Sequence, residues 1–188
     1  MYPSFIKPLF DRFCAILLLL AMALPMLLIA IAVKMTSKGP VFFKQTRVGI
    51  HKKPFAILKF RTMILDAPHD VPTHALHEPE KWMTPIGAWL RRSSLDELPQ
   101  LLNIAMGDMS FVGPRPSLPN QEDLISMRER YGANDMKPGL TGWAQIHGRN
   151  HIDVSEKARL DGEYAHKVSF SMDIRCILGT CKTVITDP

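Results

Sequence analysis

Between Arg12 and Lys34 the chain runs 21 residues without a single charge. As one straight helix they would extend roughly 31 Å, enough to cross a hydrocarbon core. Pro25 stands near the middle, where it removes a backbone hydrogen bond and crowds the preceding turn. Three readings compete. A cleaved signal peptide would use Lys7 and Arg12 as its basic region and Ala30-Ile31-Ala32 as its processing site. A spanning helix tolerates a proline, so Pro25 does not exclude it. A re-entrant helix, broken at Pro25 and leaving by the face it entered, suits the flanks: Lys7 and Arg12 precede the run, and Lys34, Lys38, Lys44, Arg47, Lys52 and Lys53 follow it. Basic residues favour one side of a bilayer, and here both ends are basic.

At 188 residues there is room for one ordinary domain, and a net charge of +5 suits anionic partners such as phosphate groups, nucleotides or nucleic acid. Cys14 lies within the apolar run, and Cys176 and Cys181 lack CxxC spacing, which points away from a disulfide scaffold and toward a reducing compartment.

Beyond residue 36 the patterning predicts an α+β fold that is mainly helical. Residues 41–46 and 55–60 are rich in β-formers around a turn at 49–53, a small β-hairpin. Residues 66–80, with Pro68, Pro72, Pro79, His69, His74 and His77, show no metal-ligand spacing and read as a solvated loop. Thr84-Pro85 opens a short helix ending near Arg92. Ser94-x-x-Glu97 reads as a capping box before Leu98, Leu101, Leu102 and Ile104. Residues 121–131 and 155–168 form further helices with charged outer faces. Phe170, Ile174, Ile177, Leu178, Cys181, Val184 and Ile185 recur at helical spacing, for a helix that packs on the core or lies flat in an interface. The organisation is an anchor at 1–36 and a catalytic part at 37–188 of the same single domain.

Asp96 and Glu97 are the candidates for chemistry. As helix neighbours they point about 100° apart, so they do not form one facing dyad. Carboxylates in a first turn often serve only the cap and dipole. The same position favours an ionised carboxylate, which can attack phosphorus, while a neighbouring carboxylate can hold a divalent cation together with substrate phosphates. An anionic nucleophile facing an anionic substrate needs cations, and Lys59, Arg61, Arg91, Arg115 and Arg149 can supply them. Gly113-Pro114-Arg115-Pro116 holds its arginine between residues of fixed φ, or is an ordinary turn. The glycine-rich stretch 137–150, with Trp143 and Arg149, can offer backbone N–H groups and a stacking face to a nucleotide.

Five segments in order carry a resemblance: Lys7 to Arg12 before the proline-broken run, Lys59-Phe60-Arg61-Thr62-Met63, residues 91–100, residues 107–116 and residues 137–150. Together they resemble the bacterial sugar transferases, specifically the small monotopic phosphoglycosyl transferases. The resemblance implies transfer of a sugar 1-phosphate from a UDP-sugar to polyprenyl (undecaprenyl) phosphate with release of UMP, the first membrane step of glycoconjugate assembly. It implies Asp96 as the nucleophile that is covalently loaded, Glu97 as a Mg²⁺ ligand, Arg91 as a phosphate contact and Arg115 beside the nucleotide. It favours the re-entrant reading of Pro25 and an interfacial helix at 170–185, on the cytoplasmic face of a bacterial inner membrane. The implied partners are the UDP-sugar, the polyprenyl phosphate and membrane lipids, without nucleic acid; a homodimer is left open. Larger relatives carry spanning helices ahead of the catalytic part, so the chain resembles the minimal form. Leu24 stands where the family commonly has Ser before the proline. A rival reading is a non-enzymatic membrane adaptor whose basic surface binds anionic lipid or nucleic acid.

Overall fold

A computed structural model describes residues 1–68, 78–148 and 152–186, and only the backbone of 184–186. The apolar run breaks as its proline requires, but upstream of it. The Pro25 ring crowds the carbonyl four residues back, at Ala21. Helix α1 (Lys7–Ala21) accordingly ends there, and α2 (Ala23–Thr36) starts after Met22. Met22 is the pivot, at φ −93° and ψ 4°, and the two axes differ by 64°. The expected break at Pro25 is thus corrected to Met22. Among the described residues no single helix is long and apolar enough to cross a membrane, whereas the bent pair together has that length and composition.

One stripe of α1, Lys7, Asp11 and Ala15, is buried, at the i, i+4, i+8 spacing of a helix face. Phe13, Leu17, Leu20, Leu24, Leu27 and Leu28 are each at least half exposed, an apolar surface far larger than a soluble monomer normally leaves open. Lys7 was expected to be a free flanking cation, and it is not. Its Nζ lies 2.8 Å from Asp173 Oδ2 and 3.3 Å from Asp11 Oδ2, all three residues being buried. Tyr2 and Tyr164 donate their hydroxyls to Asp173, and Ser110 donates to Asp11. The start of α1 is therefore fixed to the protein by charge as well as by packing.

Strands β1 (Phe42–Val48) and β2 (Pro54–Phe60) pair antiparallel with Phe42 opposite Phe60 and Val48 opposite Pro54, the hairpin the β-forming residues predict. Its turn holds His51 and Lys52 at positive φ. The side chain of Asn103, fully buried on helix α4 (Gln100–Met106), mimics a strand against β2: it donates to Ala56 O at 2.8 Å and accepts from Leu58 N at 3.0 Å. Helix α3 (Gly87–Arg92) precedes α4.

A second sheet had no counterpart in the sequence reading. Strands β3 (Ser110–Val112) and β4 (Gly139–Thr141) are too short for periodicity to reveal, and they pair in parallel. The glycines around them let two loops touch. A Cβ on Gly139 would lie 2.2 Å from Gly113 N, and one on Gly142 2.2 Å from Gly113 O. Gly113 N donates to Thr141 O and Gly139 N to Pro114 O. The expectation that residues 137–150 present free N–H groups to a nucleotide is corrected at Gly139, whose amide joins the two loops instead.

Helices α5 (Glu122–Arg130), α6 (Trp143–Ile146), α7 (Val154–Lys167) and α8 (Phe170–Thr186) complete the chain. Asp153 caps α7 by accepting from Glu156 N. Buried Arg128 on α5 donates from Nε and Nη2 to Asp161 on α7. Helix α8 packs one side on the core, the first of the two options posed for it, and leaves an apolar side exposed. Met172, Asp173 and Cys176 are buried, while Phe170, Ile174, Ile177 and Leu178 are exposed. The Phe170 ring meets Tyr2 and Phe10 edge-on at 6.3 and 6.4 Å, so its open apolar side continues that of α1. The side chains of Val184 and Ile185 lie outside the described residues, as do His69, His74 and His77.

Three buried clusters hold these pieces together. Ala15 packs with Ile57, Leu101, Ile104 and Met109; Ile29 and Val33 pack with Phe60 and Leu90; Val112, Tyr164, Met172 and Cys176 form the third. Residues 1–36 thus supply part of the first two.

Candidate active site

The sequence Ser94-Leu95-Asp96-Glu97 does not form the expected capping box. Ser94 sits in the left-handed region at φ 56° and makes no side-chain cap; Leu95 to Glu97 form a single 3₁₀ turn, and α4 starts only at Gln100. Pro99 has no N–H to donate to Leu95 O, so the i→i−4 ladder of a helix starting at Leu95 is interrupted there. The turn aims Glu97 into the protein. Its Oε1 accepts from Lys59 Nζ at 2.6 Å and from Arg115 Nη2 at 2.7 Å. One carboxylate oxygen thereby ties β2 to the Gly113-Pro114-Arg115-Pro116 loop. Burial alone would push the Glu97 carboxyl upward, but Arg115 and Lys59 outweigh it and hold it well below the usual carboxylate range.

Asp96 is 7% exposed. Burial raises its pKa; Glu97 adds to the rise, and Lys59, Arg91 and Arg115 oppose it. The ionised side chain the sequence attributed to a helix N-terminus is therefore favoured by cations from three separate elements, against its own desolvation. Arg91, at the end of α3, donates from Nε to Thr62 Oγ1 at 2.8 Å, which fixes its plane.

Asp96, Glu97, Lys59, Arg91, Arg115 and Arg61 all line one cavity of about 1470 Å³. Arg61 has a second employment there. It donates to Ser37 O, Ser37 Oγ and Lys38 O, clamping the end of α2 to β2's exit. Trp143, expected beside a substrate, instead packs toward the third cluster and against His147, with ring centroids 4.1 Å apart; its neighbours Ala144 and Gln145 face the cavity. A short helix turns consecutive side chains about 100° apart, and spacing alone does not say which one faces in. Arg149 lies outside the described residues.

The cavity wall also includes Arg47, Ser117 and Lys157, to which the sequence reading gave no such role. Arg47 passed as one more flanking cation, and Lys157 as part of a charged helix face. Away from the charges the wall turns apolar: Phe10 and Leu18 of α1 and the pivot Met22 share it with Leu101, Phe111, Leu140 and Ile177. A hydrophilic, cation-rich end and a greasy end under the bent helix share one space. Among the described residues no three His, Cys, Asp or Glu side chains group to hold a metal unaided.

A buried carboxylate ringed by cations thus shares one cavity with side chains of the bent apolar helix. The chain belongs to the bacterial sugar transferase family, whose model matches residues 2–187. It is 41% identical over 180 residues to the sugar transferase EpsL of Bacillus subtilis (strain 168), covering 96% of this chain and 87% of that one. It is 40% identical over 189 residues to the undecaprenyl-phosphate glucose phosphotransferase of Komagataeibacter xylinus, covering 95% of this chain and 36% of the other. Identity is 41% over 177 residues to the UDP-glucose:undecaprenyl-phosphate glucose-1-phosphate transferase of Escherichia coli (strain K12), covering 90% and 38%. The chain thus spans little more than a third of the latter two.

Proposed function

We propose that this protein transfers a sugar 1-phosphate from a UDP-sugar to polyprenyl phosphate through a covalent intermediate on Asp96. The single observation that carries the reading is the continuous cavity, with Asp96 and its cations at one end and the side chains of α1 at the other. A water-soluble, doubly charged donor and a lipid acceptor need such a two-sided space. In the first step an Asp96 carboxylate oxygen bonds to the phosphorus that bears the sugar. The bond to the bridging oxygen breaks, and its electron pair leaves with UMP. In the second step an oxygen of the lipid phosphate bonds to the same phosphorus and the Asp96 carboxylate departs, giving a polyprenyl diphosphate sugar. No net proton is needed in either step. Lys59, Arg91 and Arg115 offset the repulsion between the carboxylate and the phosphates.

Mg²⁺ fits this donor set. It is usually bound by one or two carboxylates plus substrate phosphates. Both hydrogen bonds to Glu97 end on Oε1, and Oε2 is the oxygen a cation would take. Bound there, the ion would neutralise phosphate charge.

The bent helix pair is read as re-entrant, entering and leaving one face of the bilayer, with α8's open apolar side lying in the same interface. Two contacts support it. The start of α1 is fixed to Asp173, and the end of α2 to Arg61, so both ends belong to the same body. The cytoplasmic face of the inner membrane, where basic flanks favour placement, is the matching location.

Purified protein incubated with a panel of UDP-sugars and undecaprenyl phosphate should release UMP with at least one of them. Release with none, by folded membrane-bound protein, contradicts the reading. Glu97→Gln tests the pair beside Asp96. Lys59 and Arg115 would then face each other without a counter-charge; with Arg115 41% exposed and screened by water, the loss of stability is about 1–2 kcal/mol. Because the Glu97 pKa is depressed in the fold, its contribution is present above the unfolded value near 4.5 and is given up as pH falls below that. The variant's thermal midpoint should therefore lie below wild type at pH 7 and approach it toward pH 3, while added Mg²⁺ fails to restore full turnover.

A further inference from the structure

Arg115 stands between two groups of charges. On one side it bonds Glu97. On the other it is close enough to Arg47 and Lys157 to depress both, and neither of those cations contributes to the balance at Asp96. Arg47 is fixed beside the Pro-Arg-Pro loop by donating to Pro116 O at 3.2 Å, and its remaining bonds go to the Gln45 amide oxygen. All these acceptors are neutral. The nearby carboxylate for Lys157 is Asp161, which already accepts two bonds from Arg128. Burial lowers the pKa of Arg47 to about 10 and lowers that of Lys157 as well. Two half-buried cations are thus held together against their mutual repulsion. Ser117, in the same wall and 3% exposed, has a hydroxyl with no hydrogen-bond partner among the described residues. Two cations whose hydrogen bonds reach no anion among the described residues, beside a buried hydroxyl with no partner, form a built anion site.

We infer that Arg47, Lys157 and Ser117, together with Arg115, hold the second phosphate of the donor, the one that leaves with the nucleoside. This rests on the transferase reading and extends it to the leaving group. The phosphorus attacked by Asp96 and the phosphorus that departs share one bridging oxygen, and Arg115 spans the two charge groups in the same way. As the bond to that oxygen breaks, the electron pair moves onto the departing phosphate, where these cations meet the added charge. In the second step Asp96 is the leaving group, so the lipid phosphate enters opposite the carboxylate, on the side UMP has vacated.

Binding of UMP to the purified protein, followed by calorimetry without any acceptor, tests this. Arg47→Gln and Lys157→Gln should each weaken UMP roughly tenfold, the scale of one lost charge-assisted bond, while uridine, lacking the phosphate, binds all forms equally weakly. Arg47→Lys keeps the charge and should recover most of the affinity. In turnover, inhibition by UMP should weaken in parallel. The inference is overturned if UMP does not bind, if both variants bind it as wild type does, if Arg47→Lys is as weak as Arg47→Gln, or if UMP inhibition is unchanged while the acceptor's KM alone rises, which would assign the cradle to the lipid phosphate. Phosphate-dependent UMP binding of this pattern in a protein that makes no polyprenyl diphosphate sugar would leave the cradle standing and remove the transferase reading.

Discussion

Asp96→Asn should lower UMP release by about a thousandfold or more, the scale on which removal of a covalent nucleophile acts, while the protein melts no lower than wild type. The second half of that outcome follows from burial. Because the fold raises the Asp96 pKa, the folded state holds the proton more tightly than the unfolded one. Stability at this site is therefore present at low pH and is lost as pH rises through the folded value. Whenever the wild-type carboxylate is ionised it is a desolvated charge, which asparagine does not carry. A nucleophile whose removal abolishes turnover and leaves the fold as stable, or more so, carries the strain expected of a functional group. A merely structural acid would show the reverse. The same shift places the acidic limb of the pH–rate profile above the ordinary carboxylate value of about 3.9. Glu97, held far lower, cannot account for that limb.

Lys7→Met should cost about 3–5 kcal/mol, the scale of breaking a buried ion pair by removing one partner. Methionine fills a comparable volume but leaves Asp173 and Asp11, both buried, without their shared cation. Tyr2, Tyr164 and Ser110 donate to the same carboxylates, so the loss falls on a connected network and not on a single contact. The expected readout is a lower midpoint of thermal or denaturant unfolding in detergent, with protease cutting appearing first at the N-terminal end of α1. Lys7→Met, Asp173→Leu together should recover part of the loss, since removing both partners leaves one charge fewer exposed to an apolar surrounding. A single variant as stable as wild type would show that the start of α1 is held by packing alone.

The hairpin, the longer helices and the interruption of the apolar run were legible because each has a period or a breaker that acts over several residues. Phe42 to Val48 and Pro54 to Phe60 alternate around a turn, and Pro25 acts on the turn before it. Lys7 was not legible. In a sequence it is a basic flank to an apolar segment, and only the approach of Asp173, far along the chain, makes it the centre of a buried network. The parallel pairing of Ser110 with Gly139 was hidden for a similar reason, since three-residue strands leave no alternation to read. In the site, the Asp96-Glu97 pair announced itself through its neighbours in sequence. The division of labour within the pair did not, because it depends on Lys59 and Arg115 arriving from opposite directions to claim Glu97 and leave Asp96 buried between charges. Arg47 and Lys157 escaped notice because an isolated cation in a strand or a charged helix has no motif; once folded, the hydrogen bonds of Arg47 end on neutral oxygens, and Asp161, the carboxylate near Lys157, accepts from Arg128.

The covalent step admits a direct test. Membrane-reconstituted protein is mixed with a UDP-sugar it turns over, in the absence of polyprenyl phosphate, quenched, digested and analysed by mass spectrometry. A sugar-phosphate adduct on the peptide containing Asp96, discharged when polyprenyl phosphate is added and missing from Asp96→Asn, is the predicted result. Steady production of the polyprenyl diphosphate sugar with Asp96 unmodified at every time point would contradict it.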